Sequence, residues 1–178
     1  MSTLEVNTIT PQSGTTLTLG GSGDTINLGS GASGLATTNG ITETDTWRLT
    51  TNKAGAGDIT ANLERPDTAG FGYLGTGMTE SSGIFTFPST GIYRIQATFE
   101  ANANADNYIQ TTTDNSTYID ATIIRPDADS TTTGSFIFDV TNTSTHKVKF
   151  NVRANSGVTL GNTDFNRTYF EFIRLGDT

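Results

Sequence analysis

Gly83-Ile84-Phe85-Thr86-Phe87-Pro88-Ser89-Thr90-Gly91-Ile92-Tyr93-Arg94-Ile95 is the stretch whose reading decides the fold. Phe85 and Phe87 are two residues apart, so in an extended chain they share one face. Pro88 has no N–H to give a sheet ladder and ends the strand. Gly91 supplies backbone freedom for the turn, and Tyr93 begins the next apolar face. From there Tyr93, Ile95, Ala97 and Phe99 alternate with Ile92, Arg94, Gln96 and Thr98, the pattern of a strand with one face in a core.

The same texture extends in both directions. From about Asp45, strand-like runs follow one another at about ten-residue spacing with Gly, Pro, Asn and Asp between them, the signal of a sandwich or barrel. Strands are predicted over Trp47–Thr51, Ile59–Leu63, Ile84–Phe87, Ile92–Phe99, Tyr108–Thr112, Tyr118–Ile124, Ser135–Thr141, His146–Arg153 and Arg167–Leu175. Over 146–153, Val148, Phe150 and Val152 are expected inside, with Lys147, Lys149, Asn151 and Arg153 facing water. The last strand has few polar positions, and both its faces are expected to be covered.

Composition agrees. The 178 residues include 36 threonines, which are β-branched and favour strands. No segment places apolar residues at i, i+3, i+4 and i+7. The class is all-β.

The motif 83–95 resembles the signature of C1q/TNF-like jelly-roll domains, in which a strand "G-x-F-t" turns through Pro and Gly into "G-x-Y-x-F". The resemblance implies a sandwich of two antiparallel sheets that assembles as a homotrimer. The strand Arg167–Leu175 is similar to the family's aromatic C-terminal strand at the centre of the trimer, which implies Tyr169, Phe170, Phe172 and Ile173 as interface residues. The sequence departs from the pattern at Ile95 and Ala97, where aromatics are usual, and at Glu171, near a usual glycine.

Residues 1–40 differ in texture from 41–178, the expected jelly-roll knob. They contain no aromatic residue and two charges, Glu5 and Asp24. Leu17 and Leu19 recur nine positions later as Ile26 and Leu28, each pair followed by a glycine turn. Such short strands bury one face and need neighbours, so a β stem shared between copies is expected, or else a Gly/Ser/Thr tail. This N-terminal pattern looks like the openings of bacteriophage fibre and other virion structural proteins. The ending Phe172-Ile173-Arg174-Leu175-Gly176-Asp177 is likewise similar to phage proteins with C1q-like tips. The resemblance implies a virion protein made in the host cytoplasm: a trimeric fibre or knob used in attachment to a bacterial surface glycan or protein. Residues 1–40 would join it to other virion proteins. The alternative is a capsid or neck decoration protein that binds no receptor.

Charge and chemistry narrow the field. A net charge of −8 repels phosphate backbones and anionic lipid headgroups. No run approaches the roughly 18 apolar residues of a membrane span, and Met1–Val6 lacks the features of a signal peptide. With no cysteine there is no thiolate nucleophile or zinc–thiolate site. His146, the sole imidazole, reads as a strand-edge residue, and no serine lies in a nucleophile elbow. No enzyme is expected.

Asp127 and Asp129 follow Arg125-Pro126, and the Arg-Pro-Asp triplet also occurs at 65–67. Turn chemistry, a calcium loop and a carboxylate pair for glycoside hydrolysis all use such spacing. The repetition favours turns, with calcium the one cofactor considered. Tyr73, Tyr108 and Tyr118, beside loops rich in Asn, Asp and Thr, are candidates for stacking on sugars.

Overall fold

The computed structural model describes residues 40–178, together with 9–10 and 13–14. The chain divides into two units, Met1–Ala36 and Thr37–Thr178. Leu17, Leu19, Ile26 and Leu28, the proposed stem residues, lie outside the described residues.

The described residues form strands and turns, with no helix. The strands are β1 (Thr44–Leu49), β2 (Lys53–Ala54), β3 (Gly57–Asp58), β4 (Leu63–Glu64), β5 (Thr79–Ser81), β6 (Ile84–Thr86), β7 (Gly91–Ala101), β8 (Ala105–Thr112), β9 (Ile119–Ile124), β10 (Ser130–Val140), β11 (Lys147–Asn155), β12 (Val158–Thr159) and β13 (Tyr169–Gly176). They make two antiparallel sheets. In the first, β10, β7, β13, β1 and β4 lie side by side, and β12 extends the β13 side of β7 and carries β2. In the second the order is β5, β6, β11, β8, β9, with β3 also paired to β11. Crossovers join the sheets, so neighbours in space are distant in sequence.

The opening motif behaves as its residues dictate. Ser82 and Gly83 both take positive φ, 52° and 81°, the requirement of a tight two-residue hairpin joining β5 to β6. Gly91 has φ 145°, and a Cβ there would lie 2.5 Å from the Arg174 side chain and from the Gly176 carbonyl oxygen. Phe85 and Phe87 are buried, as are Tyr93, Ile95, Ala97 and Phe99. The Tyr93 hydroxyl donates to the Ser89 carbonyl at 3.0 Å, which satisfies its polar end.

The core is aromatic and spans the sheets. Phe150 of the second sheet stacks on Phe170 of the first, with centroids 3.6 Å apart and ring planes 4° apart. Phe85 sits among Trp47, Phe150, Phe170 and Phe172 at 5.2–6.3 Å. Val148 and Val152 complete the inner face of β11.

Several expectations are corrected. Phe170 and Phe172, expected at a trimer interface, are buried within their own chain. The pleat of β13 alternates strictly from 169 to 172, so Tyr169 and Glu171 take the outer face. The second sheet covers its inner face, and on its outer face Tyr169, Glu171 and Ile173 are half-buried in the single chain. The run Ile59–Leu63 is not one strand: residues 59–62 turn between β3 and β4, with Asn62 at φ 58°, and Leu63 begins β4. Lys147, expected in water, is buried; its ammonium donates to Thr86 Oγ1 at 3.0 Å and to the Thr143 carbonyl at 2.7 Å.

One polar side chain of the core is unmet. Asn107 of β8 is fully buried, and neither its amide nitrogen nor its amide oxygen has a hydrogen-bond partner. A buried unpaired amide costs about 1–3 kcal/mol. Asn107→Leu, which is close in shape, is expected to raise the denaturant midpoint. Phe170→Ala is expected to lower stability by about 3–5 kcal/mol, because the inter-sheet stack cannot collapse onto a smaller side chain. Urea unfolding of the full chain checks both.

Candidate self-association face

The outward side chains of the first sheet form a lattice set by its register. Opposite Thr98 of β7 stand Thr133 of β10 and Tyr169 of β13, and Arg48 of β1 lies beyond Tyr169. The next row is Ser135, Gln96, Glu171 and Thr46. The third is Ile137, Arg94, Ile173 and Thr44. Ile137 is 53% exposed, while Tyr169 and Ile173 are half-buried.

Charge is sparse in these rows. Arg48 is fully buried although it points outward, because the segment after β4 folds over it. Its guanidinium donates to Glu64 at 2.7 Å and to Thr68 and Asp67 at 3.3 Å, and faces the Phe71 ring at 5.9 Å. In these three rows Arg94 and Glu171 remain, one of each sign; one row further, exposed Asp139 of β10 stands opposite Ile92 on the same face and adds a negative charge. Arg94 Nη2 donates to Gln96 Oε1 at 2.5 Å, and Gln96 Nε2 donates to Glu171 Oε2. Thr98 and Thr133 bond hydroxyl to hydroxyl at 2.8 Å. In a chain of net charge −8, the middle of this face carries one charge of each sign, and Arg94, Gln96, Glu171, Thr98 and Thr133 there already have partners. Of the four residues expected at an interface, Tyr169 and Ile173 lie on it. The Arg94–Gln96–Glu171 chain was missed by sequence reading. Its signal was the outward phase of 94 and 96 together with the unusual Glu171.

The other candidates are dispersed. Asp127 and Asp129 lie in an exposed turn after β9, where Asp129 takes φ 54° and Ser130 Oγ donates to the Asp127 carbonyl at 2.9 Å. Among the described residues no three His, Asp or Glu side chains converge as a metal would require. Both Arg-Pro-Asp triplets follow strands, and in each the arginine reaches back across the sheet. Arg65 pairs with buried Asp45 and Arg125 with Asp106, both at 2.8 Å. Asp45 also accepts from the Trp47 indole N–H at 2.9 Å and from the Met78 amide at 2.7 Å. His146 is buried at the foot of β11, stacked on Phe138 at 5.5 Å, with Thr141 and Thr145 hydroxyls at its two nitrogens.

The three tyrosines proposed for sugar stacking do not cluster on a common cation. Tyr73 packs on Arg65 at 4.3 Å, Tyr108 on Arg153 at 4.1 Å, and Tyr118 on Lys149 at 4.3 Å. In each case a cation covers one ring face. Burial raises the Tyr118 hydroxyl pKa, and that oxygen has no partner.

No protein-family model matches the sequence, and no curated protein matches it. Solved structures do. Murine APRIL at pH 8.5 is 9% identical, over 75% of this chain and 98% of that one, with a TM-score of 0.59. Eiger TNF from S. frugiperda is 10% identical, over 76% and 95%, with a TM-score of 0.53. PRD1 vertex protein P5 is 16% identical, over 76% and 97%, with a TM-score of 0.49. The first two superpositions show the fold: the chain is an all-β, TNF-like jelly roll of two antiparallel sheets, as the motif at 83–95 implies.

Surface carboxylates give the fold a pH signature. The Arg167 guanidinium holds the Glu100 pKa down, and Arg153 does the same for Asp120. Asp114 lies well below the usual carboxylate range because the Thr117 amide, the Thr112 hydroxyl and the Ser116 amide donate to it. Folded values below unfolded ones mean that this stabilisation is fully present above the unfolded carboxylate pKa of about 4. It is lost as pH falls through the folded values. The denaturant midpoint is therefore expected to be level from pH 8 to about 5 and to fall below about 4. In Glu100→Gln that decline should be shallower.

Proposed function

We propose that the chain is a non-enzymatic bacteriophage virion protein, a fibre or knob that assembles as a homotrimer and serves in attachment to the host surface. The observation that carries the assembly is the middle of the outer face of β10, β7, β13 and β1, where one charge of each sign is joined through Gln96. Like-charged copies of an acidic chain repel one another through most of their surface. On this face Arg94 balances Glu171, and Ile137, Tyr169 and Ile173 offer apolar area to cover. The sequence of residues 1–40 supports the virion reading, since its short one-faced strands need the neighbours that a trimer supplies. The jelly roll then forms the outward knob, and three weak sites on one trimer gain effective concentration without new contacts.

Absolute mass by light scattering tests the assembly, measured for the full chain and for residues 41–178, each with and without EDTA. Three chains in all four samples is the expected result, and a monomeric full chain would sink the reading. Dissociation with EDTA alone would place calcium at the assembly, with Asp127 and Asp129 the first residues to change. Labelled trimer is expected to decorate host cells. Failure to do so, with host range unchanged when the gene is deleted, would favour the decoration protein.

A further inference from the structure

We infer that Arg94, Gln96 and Glu171 form an ionic ladder that a second copy of the chain closes over, and that this ladder sets how the copies align. The inference rests on the self-association reading above and adds the residues that give it specificity.

The ladder sits at the middle of the sheet. Arg94 and Gln96 are outward neighbours on β7, and Glu171 stands directly opposite Gln96 on β13. Gln96 uses both ends of its amide, accepting from the guanidinium and donating to the carboxylate. The two charges are thus joined through a neutral link, and the unit as a whole carries no net charge. All three side chains are half-buried in the isolated chain.

These properties suit burial against a copy. Covering an unpaired charge is costly, whereas a satisfied pair of opposite sign loses far less. Arg94 keeps further N–H donors beyond its bond to Gln96, and Glu171 keeps its second oxygen. The hydroxyls of Thr46, Thr133 and Ser135 on the same face are suitable partners across an interface. Apolar contacts at Ile137, Tyr169 and Ile173 tolerate sliding, because dispersion and hydrophobic burial are non-directional. An alignment that brought Glu171 near a second Glu171, or Arg94 near a second Arg94, would be disfavoured, because like charges in a covered face repel. One polar position fixing register inside an apolar seam is the best-attested use of such groups.

The test is sedimentation of the full chain over a wide concentration range, comparing wild type, Glu171→Gln, Arg94→Met and the double variant Arg94→Met with Glu171→Leu. Each single change is expected to raise the dissociation concentration at least ten-fold, because it strands the opposite charge. The double change is expected to restore association while broadening the assembly into more than one species. Asp106→Asn, which alters net charge as much as Glu171→Gln but lies on β8 of the second sheet, is expected to match wild type. Near-ultraviolet circular dichroism on each variant confirms that the monomer fold persists. Single variants with wild-type mass and dissociation concentration would overturn the ladder, as would a double variant no better than the singles. A monomeric wild type would instead overturn the self-association reading itself.

Discussion

The stack of Phe150 on Phe170 is the joint on which the two sheets hang. Each sheet is an amphipathic layer that must hide one face, and these rings, parallel and in contact, set the layers together. Phe85 wedges against both and against Phe172 and Trp47, which ties the second sheet to β1 and β13 of the first. Everything else follows from which side of β13 those rings take. With Phe170 and Phe172 inside, Tyr169 and Glu171 are turned out, and the outer face acquires its composition from positions the core does not use.

Around that core the chain relies on carboxylates to hold its loops. Glu43 accepts from the Thr76 and Gly77 amides at 2.9 and 3.0 Å, and Asp45 accepts from Met78 and Arg65. Gly75 and Gly77 both take positive φ, and a Cβ at either would lie within 3 Å of these acids or of Arg65. The stretch between β4 and β5 is therefore strapped to β1 by backbone donors converging on two acidic side chains. Arg48 and Phe71 extend the strap over the outer face. A chain with few lysines and arginines uses nearly every guanidinium it has in ion pairs.

The middle of the outer face stands apart from that pattern. Elsewhere the arginines bind acids across loops and strand ends; on the outer face of β7 and β13 the pair is joined through an amide and lies among threonine, serine, tyrosine and isoleucine. What distinguishes this face is a pair of opposite charges joined through a neutral amide.

Much of the fold was legible in the amino-acid order. Alternation at Tyr93, Ile95, Ala97 and Phe99, and at Val148, Phe150 and Val152, placed the core correctly, because strand period is a local property of the chain. Gly83, Pro88 and Gly91 marked their turns for the same reason. The Arg-Pro-Asp triplets announced strand ends, and the two structures after them are turns. What the order of residues left open was every choice between the two sides of a strand whose faces are both apolar. In β13, aromatic residues at 169, 170 and 172 satisfy either phase, and the tertiary partner Phe150 decides between them. Lys147 looked like a surface residue until Thr86 and Thr143 came to its ammonium. Arg94, Gln96 and Glu171 are 75 residues apart at their widest bond and become one unit through the pairing of β7 with β13. Local periodicity determines which residues can share a face; long-range pairing determines which faces meet, and the function proposed here is written in the second.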